Sequence, residues 1–118
     1  MNIQECYTAL GGDYSGVLGR LRSEKLVLKF VLKFLDDDSF GLLMRSLDEG
    51  NVSEAFRAAH TIKGMCQNLS FTRLAESSSL MTEALRAGNL EEAAGLCDKV
   101  SSDYRKTIEA ITALKESE

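Results

Sequence analysis

The sequence contains no proline and no tryptophan, and only one histidine. Without proline nothing in it breaks a helix from inside, so long uninterrupted helices joined by glycine turns are open to it. No apolar run approaches the roughly 18 residues of a membrane span, and the N-terminus lacks the pattern of a signal peptide. The cysteines, Cys6, Cys66 and Cys97, are odd in number and scattered, with no C-x-x-C pair. Scattered in this way, without the short paired spacing of zinc ligands, they do not fit a usual zinc site, and unpaired thiols fit a reducing compartment. The cytoplasm is therefore the expected address. Basic residues are not in excess: 14 Lys and Arg stand against 18 Asp and Glu, a net charge of −4. That balance excludes a general nucleic-acid binder, which needs a positive face for phosphate contacts. The glycines form no G-x-x-x-x-G-K-[ST] loop. With no kinase nucleotide motif either, the chain has no visible means of using ATP, and no cofactor of its own is implied.

What is present is ordinary for a globular chain: 44% hydrophobic and 27% charged residues over 118 positions, enough for a single core. One domain spanning residues 1–118 is expected, and Met1 with a self-contained pattern points to a free-standing protein. Asn2 to Leu10 reads as a short helix with Ile3, Cys6, Tyr7 and Leu10 on one side, ended by Gly11-Gly12. Asp13 is placed to cap a short, glycine-weakened helix to Leu21. Ser23 and Glu24 open a helix to about Asp36, with Leu26, Phe30, Val31 and Phe34 expected inward. Arg20, Arg22, Lys25, Lys29 and Lys33 form a local basic run that fits a solvated helix face. Asp38 or Ser39 caps the next helix, Phe40 to Glu49.

Ser53 then begins a helix that continues to Leu69. Another follows from about Thr72 to Ala87, with Leu74, Ser78, Met81 and Leu85 as its stripe. A long last helix, from Leu90 to about Lys115, keeps apolar steps of three and four through Ala93, Cys97, Val100, Tyr104, Ile108 and Ile111. Long helices joined by short turns make antiparallel neighbours. The expected fold is all-α: an up-down-up-down antiparallel four-helix bundle with short additional N-terminal helices packed against one end. No exposed apolar seam stands out, so a monomer is expected.

The only histidine, His60, lies in the most informative stretch, Val52 to Ser70. Wound as a helix at about 100° per residue, Ala55, Ala59, Ile62, Cys66 and Leu69 fall within an arc about 80° wide. His60, Lys63, Gly64 and Gln67 form a second row, centred roughly 130° from the first on the same geometry. His60 therefore stands off the buried stripe. Lys63, one turn ahead, brings an ammonium within reach of a group carried on the imidazole. Gly64 weakens the helix by about 1 kcal/mol relative to alanine and contributes no packing, which fits a role in clearing space beside the ring. Gln67 adds a neutral donor on the next turn.

An accessible imidazole is nucleophilic near neutral pH without an adjacent base. A phosphoryl group on it would bring close to two negative charges, and mid-helix no free backbone N–H is there to meet them. A lysine one turn away supplies the missing countercharge. The row suits a phosphoacceptor.

Ala59-His60-Thr61-Ile62-Lys63-Gly64 resembles the A-H-x-L/I-K-G signature of the histidine-containing phosphotransfer (HPt) domains of bacterial phosphorelays. The likeness continues through Asn68-Leu69-Ser70-Phe71, Arg73-Leu74-Ala75-Glu76 and Glu83-Ala84-Leu85. Upstream it takes in Leu10-Gly11-Gly12-Asp13, Lys33-Phe34-Leu35-Asp36 and Ala58. It implies the four-helix bundle already expected, and reversible transfer between His60, on Nε2, and an aspartate of a response-regulator receiver domain. Lys63 would steady the phosphoryl group and Gly64 leave it exposed. Some relatives hold the other imidazole nitrogen with a glutamine on the following helix. Thr82 stands there, able to do so only by closer approach or through a water, with Glu83 beside it. Arg86 is either a second cation near the phosphate or a plain exposed arginine. Ser70 replaces a glycine often found after the signature helix, and residues Asp13 to Arg22 lengthen the N-terminal part. The implied partners are a receiver domain, which would supply Mg²⁺, and a hybrid sensor histidine kinase. Phe71 and the N-terminal helices are the expected docking surface. A bundle that docks signalling partners without passing phosphate is the competing expectation.

Overall fold

The computed structural model describes all 118 residues, and every regular element in it is helical. The elements are α1 (Ile3–Leu10), α2 (Tyr14–Leu21), α3 (Glu24–Lys33) running into a 3₁₀ turn (Phe34–Asp36), α4 (Ser39–Asp48), α5 (Val52–Leu69), α6 (Thr72–Arg86) and α7 (Leu90–Glu116). None is long and apolar enough to cross a membrane. The start signals work as side-chain caps. Asn2 and Glu5 form a capping box, and Asp13, Ser23, Asn51 and Asn89 each accept from the backbone N–H three residues on. Two caps differ in detail from expectation. Asn51, not Ser53, opens α5. Asp38 is the N-cap of α4, as expected, but its side chain makes no cap bond, and the Ser39 amide donates to Asp37 at 2.9 Å.

Sequential packing of α4 on α5, α5 on α6 and α6 on α7 gives the expected bundle. Its long member, α7, outruns the others, and its far end carries α1: the Met1 amino group donates to Ser117 Oγ at 2.9 Å. The stripes of α5 and α6 are buried as their spacing predicts, down to Ser77 and Ser78, which have no exposed surface. The stripe of α7 is buried at Val100, Ile111 and Leu114 but only half-buried at Cys97, Tyr104 and Ile108.

Most of the aromatic residues serve one purpose. Tyr14, Tyr7, Phe71, Phe34, Tyr104 and Phe40 form a continuous chain of ring contacts, from 5.6 Å between Tyr7 and Tyr14 to a 4.0 Å stack of Phe40 on Tyr104. This chain joins the N-terminal helices to the bundle, and Phe71 sits in its middle with no exposed surface. Phe71 is thus core rather than docking surface, a correction to the sequence expectation. The expected inward face of α3 is also corrected. Val27, Val31 and Phe34 are buried, whereas Leu26 and Phe30 are each 40% exposed. The segment LVLKFVL is apolar nearly all round, so its periodicity does not say which side faces in.

The turn after α1 meets the turn after α5. Asp13 N–H donates to Ser70 O at 2.8 Å, and Arg73 N–H to Gly11 O at 3.0 Å. A Cβ on Gly12 would lie 2.7 Å from Ser70 O and 2.8 Å from the Tyr7 ring, so only glycine fits the approach. Gly12→Ala is expected to lower the stability of the fold by about 1–3 kcal/mol, the usual cost of overpacking, measured by denaturant unfolding. An unchanged midpoint would mean the two turns do not touch as described.

Candidate functional site

Helix α5 carries the site because its two faces are chemically unlike. Its stripe, Ala55, Ala58, Ala59, Ile62, Cys66 and Leu69, is buried, while His60, Thr61 and Gln67 are exposed and Lys63 and Gly64 half-exposed. No hydrogen bond reaches either imidazole nitrogen of His60. Thr61 beside it is turned to its own helix, donating to Arg57 O at 2.9 Å. Lys63 has no carboxylate within ion-pairing distance, so its charge is uncommitted.

Side chains on an α-helix lean back toward the N-terminus and cover the turn before their own Cα. Any side chain at position 64 would therefore lie over His60, and Lys63 leans the same way. A Cβ built on Gly64 meets nothing within 4 Å, so the space above the ring is open. By the same rule His60 lies back over Phe56, four residues earlier. The two rings stack with centroids 5.8 Å apart and planes 11° apart.

The neighbouring helix contributes differently from expectation. Thr82 is fully buried, and its hydroxyl donates to Ser78 O at 2.7 Å, one turn back in α6. It makes no hydrogen bond to His60, because a threonine inside a helix reaches its own i−4 carbonyl more readily than another helix. Arg86 does come to this face. Its guanidinium carbon is 5.0 Å from the centroid of the Phe56 ring, and its Nε is 3.3 Å from the Glu83 carboxylate. Arg86 is thus engaged on two sides, by Glu83 and by Phe56, and Phe56 is the ring stacked on His60. The backbone carbonyl of Gln67 is engaged, but its side chain makes no hydrogen bond.

At the C-terminus of α5 the last carbonyls lack helical partners. Arg20 from α2 donates to Gln67 O at 3.0 Å, to Asn68 O at 2.8 Å, and to the hydroxyl of Ser70. The Tyr7 hydroxyl donates to Leu69 O at 2.7 Å. A cation at a helix C-terminus also opposes the negative end of the dipole. The sequence pattern sets Arg20 in a solvated basic run and does not single out Phe56. The spacing of Phe56, i−4 from His60, was the available signal; nothing local marks Arg20, whose partners lie 47 to 50 residues away.

A groove of about 620 Å³ opens beside this end of α5, walled by Leu21, Phe30, Phe34, Met65 and Leu69, with Arg20 among its lining. The cysteines lie apart from the site chemistry. Burial pushes the Cys6 thiol up to about 11 and raises that of Cys66 further, so neither offers a thiolate near neutral pH.

The sequence model of the Hpt domain matches residues 35–117. No curated protein and no solved structure gives a match. The matched span takes in α4 to α7 and with them His60, Lys63, Gly64, Phe56 and Arg86. Residues 1–34 lie before it, so the likeness at Leu10 to Asp13 falls outside. Hpt domains are phosphocarriers rather than enzymes, and they interact with receiver domains and kinases. With most of its length so matched, on a bundle whose signature helix presents a bare imidazole, the chain belongs to the Hpt domain family, the phosphotransfer modules of two-component signalling.

Proposed function

We propose that His60 accepts a phosphoryl group from an aspartyl phosphate of a response-regulator receiver domain and returns it to a receiver aspartate. The observation that carries this reading is an exposed imidazole, free of hydrogen bonds, beside an uncommitted lysine and an open space at Gly64. The Nε2 lone pair attacks phosphorus in line. The N–P bond forms as the P–O bond to the aspartate breaks, and that bond's electron pair leaves with the carboxylate. The ring is left as a phospho-imidazolium until Nδ1 releases its proton. Lys63 meets the new charge, since backbone amides in mid-helix are already paired.

Residues 1–34 belong to the same unit, because Arg20, Tyr7 and the Gly11-Gly12 turn hold the end of α5. For docking we assign the groove at the end of α5 and the exposed Leu26 and Phe30. Arg20 and Lys33 line this groove together with Asp36 and Asp37, so the docking face sets charges of both signs around apolar walls, a pattern that fixes the register of a charged partner. The receiver brings Mg²⁺ and the acidic pocket; a hybrid sensor histidine kinase supplies the phosphate upstream. The proposed setting is a cytoplasmic monomer.

One observation favours the competing reading of a docking module without transfer: no hydrogen bond orients the ring, and Thr82 is turned away. Incubation with a phosphorylated receiver and Mg²⁺ separates the two. Transfer places acid-labile, base-stable label on this chain; label that never leaves the receiver would leave only docking.

His60→Gln is expected to abolish acceptance while shifting unfolding free energy by no more than about 0.5 kcal/mol, as for other surface changes. Lys63→Ala should slow transfer by about 1.5- to 5-fold, the worth of an exposed charge interaction. Gly64→Gln should add roughly 0.5–1 kcal/mol of stability, seen as a raised unfolding midpoint, and block transfer by covering the ring. Normal transfer by that variant would remove the role given to the glycine.

A further inference from the structure

An exposed histidine with no hydrogen bond is free to turn, because its terminal torsion is broad rather than confined to sharp staggered wells. In-line transfer does not tolerate that freedom. The Nε2 lone pair lies in the ring plane, so the plane must be set to put phosphorus on the lone pair's axis. Beside His60 the side chain that restricts the plane is Phe56. Its 5.8 Å, 11° contact falls within the offset-stacked range of about 4.5–7 Å.

Phe56 is itself held. The Arg86 guanidinium over its ring, 5.0 Å from the centroid, is inside the roughly 6 Å reach of a cation–π contact. Arg86 is tethered in turn by Nε to both oxygens of Glu83. A line of contacts therefore crosses from α6 to α5: carboxylate, guanidinium, phenyl, imidazole. Phe56 and Phe30 are the two aromatic residues outside the chain of rings that builds the core. Phe56 is half-buried, with His60 as its aromatic partner and Arg86 as its cation.

We propose that Phe56 is the positioning residue for His60 in phosphoryl transfer, its ring setting the plane of the imidazole while Arg86, anchored on Glu83, sets the ring of Phe56. This rests on the reading of His60 as the acceptor. Phe56 does not touch the phosphoryl group; it acts through the imidazole. A stack fixes the plane and leaves both nitrogens free, which a hydrogen bond to the ring does not.

The test compares the parent chain with Phe56→Leu, Phe56→Tyr and Arg86→Met. Leucine keeps apolar bulk and removes the plane, tyrosine keeps the plane, and methionine keeps length and removes the cation. As the chain has one histidine, its two imidazole C–H proton resonances are identifiable without further labelling, and a stacked ring displaces them upfield. In Phe56→Leu that displacement should vanish. The maximal single-turnover transfer rate from a phosphorylated receiver should fall by about tenfold, short of the hundredfold that a ~1 Å misplacement can cause. The half-saturating receiver concentration should stay unchanged. Phe56→Tyr should restore both rate and shift, and Arg86→Met should lower the rate by about twofold.

Parent-like transfer by Phe56→Leu, or histidine resonances unmoved in it, would overturn the proposal. So would a raised half-saturation at unchanged maximal rate, which would make Phe56 a docking residue. A parent chain that accepts no phosphate overturns the relay reading itself, and is told apart by its inactivity before any substitution is made.

Discussion

A phosphoryl group set on the middle of an α-helix finds every nearby backbone N–H already bonded to a carbonyl one turn back. Loops and helix N-termini bind phosphate through free amides; the flank of a helix cannot. With His60 as the proposed acceptor, the constraint dictates what should surround it. Countercharge must come from a side chain, and the lean of helical side chains makes i+3 a good place for it. The same lean makes i+4 the position that would smother the ring, so it is left without a side chain. Lys63 and Gly64 answer one geometric problem from two sides.

A nucleophile on a helix is only as well placed as the helix. The buried stripe of α5 fixes its rotation against α4 and α6, but leaves its C-terminal carbonyls unmatched. The N-terminal segment closes that end. Arg20 and Tyr7 take the carbonyls of Gln67, Asn68 and Leu69, and Asp13 N–H takes that of Ser70. Ser70 itself sits in the left-handed region, φ 57°, where glycine is the usual occupant. Its hydroxyl accepts from Arg20, a contact glycine lacks. The residues that precede the matched part of the family thus buttress the helix that carries its chemistry.

How much of this was legible follows from the range of the interactions. The bundle, the stripe of α5 and the row from His60 to Gln67 depend on spacing within a few turns, and spacing is what a sequence displays. The packing of α3 was not legible, since an almost wholly apolar helix carries no phase; Leu26 and Phe30 ended outside and Val27 inside. Phe71 flanks the helix of the His60 row in sequence and so reads as a surface anchor, yet three-dimensional closure brings Tyr7 and Phe34 around it. Thr82 reaches the site by register alone. Register gives the height on a helix but not whether a hydroxyl is already bonded to its own backbone. Arg20 had no local mark at all.

The self-bonded hydroxyl of Thr82 bears on the chemistry. Ser78, Thr82 and Thr107 are buried and each donates to a carbonyl four residues back. Short hydroxyl side chains let α6 and its neighbours approach closely while satisfying themselves, so none is left to reach across. A polar grip on the imidazole is therefore absent for the same reason the bundle packs tightly. An acceptor on Nδ1 would hold the proton of the phospho-imidazolium and favour the phosphorylated state. An aromatic stack orders the ring without favouring either state, and the proton on Nδ1 is free to pass to water. On the proposed reading, with the ring held that way, what would stabilise a phosphoryl group on His60 reduces to the charge of Lys63. A carrier that must release what it accepts is served by that economy.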